Sequence, residues 1–431
     1  MEKLEKDLMN FIDKTPNAYV CTENIKKLLL NNGFIQLYEN EDWNNVSKGK
    51  NYFVIRNDSS LIAFKMPKDI NNVGFNIVAT HGDSPSFTVK PNADIFDNEY
   101  LKLNVNGYGG VLNYSWLDRP LSLAGRIITL TDEVYEKQII NIDKDLLVIP
   151  SQAYHLNKNA NTKNELNQQK DLLPIMALNN EMKLDDIIKE YLNNPQIDKI
   201  CDYDLYLYNR DKSKYIGLNN EFILAPRLDD LACLYLAYQS FIESNNNNST
   251  INIYGVFNNE EVGNLTQQGA DSSFLTDILN RIAKVLNINL AVALKNSFIV
   301  SADNAHAIHP NAKEKNDPTN KVQLNNGVVI KYHINFTTDG LTASLFKGIC
   351  DKANIPYQDF ASRSDMDCGS TLGGISQSHV SIDSVDIGIA QLAMHSSAET
   401  IGREDIKYMY KALLEFYNTK IIKDKDIVKF S

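Results

Sequence analysis

The sequence has no closely spaced cysteines. Its five, Cys21, Cys201, Cys233, Cys350 and Cys368, are odd in number and scattered, with no C-x-x-C pair. That argues against a thiolate metal site or a disulfide framework and fits a reducing compartment. No apolar run approaches the roughly 20 residues that span a bilayer. The N-terminal segment MEKLEKDLMNFIDK alternates charged and apolar residues at helical spacing where a signal peptide would be continuously apolar, so a cytoplasmic location is expected. Positive charge is also short: 43 Lys and Arg stand against 54 Asp and Glu, a formal net charge of −11. Phosphate binding draws its affinity from clustered Lys and Arg, so nucleic acid and acidic membrane surfaces are not expected partners. Small molecules, peptides or further copies of the chain remain.

What is present is the composition of a folded protein, 43% hydrophobic and 23% charged over 431 residues. Single cores stop growing at roughly 250–300 residues, so two domains are expected. Leu4, Leu8 and Phe11, then Ile25, Leu28 and Leu29, fit two amphipathic helices. Short β-rich runs come next at Tyr52 to Arg56, Ser60 to Met66 and in FNIVAT, which ends at His81. From about Pro91 to Asn219 the texture becomes LKLNVN, RIITLT, DLLVIP and YDLYLYN, broken by Gly, Asp and Asn, with one polar helix near Asp185. After Pro226 helix and strand alternate again, as in an α/β sheet. The expected fold is therefore an α/β domain, a mixed sheet with helices on both faces, built from 1–90 and 220–431. A mostly β domain, 91–219, is inserted into it. The SNNNNS tract from Ser244 reads as a solvated turn.

Potential metal ligands fall at or just beyond predicted element ends, where α/β sheets place their active sites. They are His81 in ATHGDSPSF, Asp229 in PRLDDL, Glu260 and Glu261 in FNNEEVGN, Asp303 in VSADNAHAIHPN and His395 in LAMHSSAE. Two dications about 3.5 Å apart repel by roughly 19 kcal/mol at an effective dielectric near 20, so such a pair needs anionic ligands. Three carboxylates and a bridging hydroxide balance four positive charges. Two histidines complete a shell that suits zinc, with cobalt or manganese as alternatives. Asp83, two residues past His81, projects to the same side of an extended segment and is expected to orient that ligand or its metal. One carboxylate is left over, and beside a metal-activated water it would serve as general base.

These segments, with RSDMDCGSTLGGIS, lie in the order and approximate spacing of the aspartyl aminopeptidase family of dinuclear zinc metallopeptidases, which the chain resembles over nearly its whole length. The resemblance implies two zinc ions per subunit: His81 and Asp303 on one, Glu261 and His395 on the other, Asp229 bridging and Glu260 as base. It implies hydrolysis of the N-terminal residue of peptides by a metal-bridging hydroxide. Lys331 would meet an acidic substrate side chain, and His155 would enter a neighbouring subunit's active site to stabilise the tetrahedral intermediate. The inserted β domain would mediate dimers, assembled in turn into a dodecamer. The chain departs from the family at Lys315–Asn316–Asp317, at Phe336–Thr337–Thr338 and at Ala398, in segments that shape the family's substrate pocket.

Each residue also has a plainer reading. His306 and His309 flank Asp303 and read as supporting or loop-packing residues; His333 and His379 read as structural. Either of Asp229 and Asp230 would suffice as ligand, leaving the other to cap the following helix. CGSTLGG lacks the Lys and spacing of a phosphate loop, and its Gly369 and Ser370 are expected to face substrate through their backbone. Two alternatives stay open: a carboxypeptidase or deacylase that recognises a carboxylate through Arg363, and a silent assembly protein.

Overall fold

The computed structural model describes residues 2–68, 73–97, 99–163, 165–178, 182–192, 197–245, 250–366, 369, 379–425 and 427–430. Nine strands form the main sheet in the order Ile35–Leu37, Asn51–Arg56, Ser60–Lys65, Thr250–Phe257, Gly74–His81, Phe298–Ala302, Asp383–Gly388, Val328–Tyr332 and Tyr357–Ala361. The run from Thr250–Phe257 to Asp383–Gly388 is mutually parallel. Antiparallel neighbours, Ser60–Lys65 and Val328–Tyr332, flank it. Every residue of Gly74–His81 and Thr250–Phe257 is buried, as expected for parallel strands covered on both faces.

Alternate side chains of these strands enter two separate cores. Val78, Tyr254, Val256 and Val300 pack against helices that include Glu2–Asp13, Ala18–Asn31, Leu228–Glu243 and Arg403–Asn418. Ile77, Ala79, Ile253 and Ile299 pack against the helix Phe274–Leu286. The mixed sheet with helices on both faces is thus as the sequence pattern predicts.

A second, antiparallel sheet of six strands is formed within Ser86–Asn209 and encloses its own core around Phe87, Leu103, Trp116, Leu123 and Leu205. Its first strand, Ser86–Asp97, begins ahead of the expected boundary at 91. Pro91 and Asn92 read as a break, but a register shift between Val89 and Asp94 absorbs them within one strand. DLLVIP forms isolated bridges at Leu147 and Val148 rather than a strand. Its Leu147 and Ile149 are buried in the second core, so the apolar run marked burial, not ladder pairing. Arg126 ties this sheet to the main one, reaching Asn57 Oδ1 and Asp58 Oδ2 at 2.8 Å each while holding Asp204. A third sheet contains Phe222–Ala225, Glu399–Gly402, Ala390–Leu392 and Ala305–His306. Residues 246–249 of the SNNNNS tract and most of CGSTLGG lie outside the described residues.

Candidate active site

The parallel strands end together, and the segments leaving their ends converge. His81 is the last residue of its strand and pairs in register with Phe257, which sets Asn258–Glu261 beside it. Asp303 comes directly after Phe298–Ala302 and donates its N–H to Ile387 O at 3.0 Å. Asp229 lies in the first turn of Leu228–Glu243. His395, at φ +67, sits in the turn between two strands of the third sheet.

The ligand atoms face one another in two groups. His81 Nε2 stands 3.4 Å from Asp229 Oδ1 and 3.6 Å from Asp303 Oδ1. His395 Nε2 stands 3.7 Å from Asp229 Oδ2 and 3.4 Å from Glu261 Oε2. A tetrahedral zinc ion with bonds of about 2.0–2.1 Å separates its ligand atoms by about 3.3–3.4 Å, so both groups have the spacing of a coordination shell. Both imidazoles are fixed from behind: His81 Nδ1 donates to Asp83 O and His395 Nδ1 to Gly110 O, each at 3.1 Å. This leaves Nε2 as the lone-pair nitrogen on the inner side.

The supporting layer differs in part from expectation. Asp83 does hold His81, though through its carbonyl oxygen. Its carboxylate Oδ1 stands 3.5 Å from the same His81 nitrogen, and the carboxylate also accepts the backbone N–H of Glu260 at Oδ1 and of Glu261 at Oδ2, both at 3.2 Å, and the Tyr108 hydroxyl at 2.7 Å. Asp230 caps no helix. It is fully buried, and its Oδ2 accepts the His81 N–H at 3.3 Å. Glu399 went unremarked in the sequence beyond closing LAMHSSAE, yet it accepts the N–H of His395 at 2.7 Å and of Asp229 at 3.0 Å. No pattern marks a carboxylate that acts on backbone amides brought together only by folding.

A cavity of about 450 Å³ opens onto this cluster, with Glu260, Lys331, His306, Phe336, Phe360, Met394 and Gly369 in its wall. Lys331 Nζ donates to Asp303 Oδ2 at 3.1 Å. Ser370 and Cys368 lie outside the described residues. His155 does not line the cavity; it is exposed on a turn beside exposed Tyr154 and Leu156. His333 stacks edge-on against Phe336, and His379 pairs with Asp271. Arg363 is absent from the described residues of the cavity wall and pairs at the surface with Asp365 through two hydrogen bonds of 2.8 and 2.6 Å, so the described wall lacks the arginine on which the carboxypeptidase alternative relied.

Electrostatics favour cations here. Burial foremost, with Asp303, Asp83 and Asp229 adding to it against His81, raises Glu260 to about 8. Burial and then Asp229 push Glu261 far above the carboxylate range. Burial would raise Asp303 too, but Lys331 and His81 outweigh it and hold that group low. Asp229 Oδ1 and Glu261 Oε1 are buried without a hydrogen-bond partner, and buried polar atoms are rarely left so. Oxygen and imidazole donors at this spacing, with orphaned carboxylate oxygens, fit divalent zinc.

The model of the family described as aminopeptidase I zinc metalloprotease (M18) matches residues 11–417. The chain belongs to the M18 family of zinc aminopeptidases. It is 43% identical to the probable M18 family aminopeptidase 2 of Clostridium novyi (strain NT), over 96% of this chain and 99% of that protein. It is 33% identical to the probable aspartyl aminopeptidase of Ricinus communis, over 96% of this chain and 95% of that one. Among solved structures, a cryo-EM structure of the Ape4 and Nbr1 complex matches with a TM-score of 0.92 at 33% identity, over 97% of this chain and 86% of that chain. M18 membership bears out the expected family, fold class and enzyme class, a zinc aminopeptidase and hydrolase, and sets aside the silent assembly protein.

Proposed function

We propose that the carboxylate–histidine cluster is a dinuclear centre for removing the N-terminal residue of peptides. His81, Asp303 and Asp229 Oδ1 would hold one ion, Glu261, His395 and Asp229 Oδ2 the other. The observation that carries this reading is Asp229, whose two oxygens face the two histidines separately. When bound, zinc supplies Lewis acidity at the scissile carbonyl and a nucleophile at neutral pH. Glu260, in the cavity wall and held by its own backbone N–H on Asp83, accepts the proton of attack and passes it to the departing amine.

Lys331 is the one Lys or Arg among the described residues of that wall, so it is the candidate recogniser of an acidic N-terminal side chain, with Gly369 in the same wall for a backbone contact. The exposed turn bearing Tyr154, His155 and Leu156 supports a contact with a further copy of the chain; we extend this to a homo-oligomer, ultimately a dodecamer, in which the second sheet, within Ser86–Asn209, forms the dimerising domain and His155 completes a neighbouring site. Turnover of a panel of aminoacyl amides by metal-depleted protein, with Zn, Co or Mn restored, tests this reading. Activity that needs no added metal, or that ignores a blocked N-terminus, would count against it.

A further inference from the structure

The second sheet meets the metal cluster at its strand Tyr100–Tyr108 and the two glycines that come after it. The Tyr108 hydroxyl donates to Asp83 Oδ2 at 2.7 Å and accepts from Asn259 Nδ2 at 3.0 Å. Asp83 in turn holds the Glu260 and Glu261 amides. Asn259 is a left-handed residue at φ +62 that opens the Glu260–Val262 turn. Its Oδ1 is saturated by Thr266 and Gln268 at 2.8 Å each, so its amide group is set in one orientation and aims at the phenol.

The glycines reach the ligands themselves. Gly109 has φ +72, a conformation that strains any other residue, and a β-carbon there would stand 3.0 Å from Glu261 Cβ, tighter than most side-chain contacts, so Glu261 would have to give way. Gly110 O takes the Nδ1–H of His395 at 3.1 Å, while a β-carbon on Gly110 would come 3.1 Å from that same nitrogen. The other half of the cluster is held differently, His81 by Asp83 O and Asp303 by Lys331.

We infer that Tyr108–Gly110 is a positioning element by which the second sheet sets the Glu261–His395 half of the centre and, through Asp83, the base Glu260. The inference rests on the metal assignment proposed above. It makes the two halves unequal: crowding at Gly109 loosens the Glu261–His395 ion, loss of the Tyr108 hydroxyl slows turnover through Asp83 and Glu260, and the His81–Asp303 half keeps its ion.

Three variants test it. Gly109→Ala adds the crowding β-carbon. Tyr108→Phe removes one hydroxyl without changing shape. Gly107→Ala, whose β-carbon would meet the flexible end of Gln168, controls for substitution in the same strand, and thermal unfolding of all three checks the fold. Zinc uptake by metal-depleted protein is read against a chromophoric chelator. Gly109→Ala should weaken one of two zinc equivalents by about 10–100-fold and leave the other as in wild type. Tyr108→Phe should bind both, with kcat down about tenfold or more and KM within about twofold. Gly107→Ala should match wild type. Unaltered uptake by Gly109→Ala, or equal weakening of both equivalents, overturns the inference, as does wild-type kcat in Tyr108→Phe. If Gly109→Ala does not fold, Tyr108→Phe decides alone. A wild-type protein that takes up one equivalent places the fault in the metal assignment instead.

Discussion

Lys331 Nζ stands 3.1 Å from Asp303 Oδ2, with the lysine 4% and the aspartate 11% exposed. The pair gives the lysine two separable duties: balancing a ligand carboxylate and presenting charge to the cavity. Lys331→Met should lower the stability of metal-depleted protein by about 3–5 kcal/mol, the usual result of stranding one partner of a buried pair. Added zinc should recover part of that loss by supplying positive charge beside Asp303. On aminoacyl amides the same variant should lose rate on Asp and Glu relative to Leu and Met. An unchanged ranking, measured across Asp, Glu, Leu, Met and Lys amides, would remove Lys331 from substrate recognition.

Glu260→Gln removes a base without removing a ligand. It should bind zinc as wild type does and lose about 10²–10⁴-fold in kcat. Turnover close to wild type with zinc fully bound would show that another group moves the proton.

Glu399 takes the backbone amides of Asp229 and His395, one on each oxygen. Glu399→Ala leaves both amides without their acceptor and frees two ligands from their fixed direction, so zinc affinity should fall about 10–100-fold. Competition with a chelator reads this directly. Affinity equal to wild type would reduce Glu399 to a packing residue.

The residues of the carboxylate–histidine cluster were legible as candidates because each is a ligand type at or just beyond the end of a recognisable strand or helix. The β-rich runs through His81 and Phe257, and the helix opening at Leu228, set their positions. Glu399, Tyr108 and Gly110 were not legible as functional: Glu399 acts on backbone amides, Tyr108 on Asp83 and Gly110 through its own carbonyl on the His395 ring, and folding alone selects those partners. Asp230 misled for a related reason. Position just before the apolar run of a helix suggests a cap, whereas the His81 N–H in the neighbouring strand claims its carboxylate. Pro91 looked like a domain boundary because a bulge within a strand carries the same residues as a turn.

His155 has no place in its own chain's cavity. Mixing Glu260→Gln with His155→Ala under subunit exchange should restore up to about a quarter of wild-type sites, since one of the four pairings of catalytic domain with donated histidine carries both residues. No gain over the parents, with exchange confirmed independently, would refute the shared site while leaving the metal assignment untouched.

The dinuclear reading turns on Asp229 serving two ions, one on each carboxylate oxygen. Zinc content by elemental analysis, on wild type and Asp229→Ala after equilibration at equal free zinc, decides between one role and two. Wild type should hold two equivalents and the variant should lose zinc from both positions, with thermal unfolding showing the chain still folded. Two full equivalents retained by Asp229→Ala would contradict the bridging role.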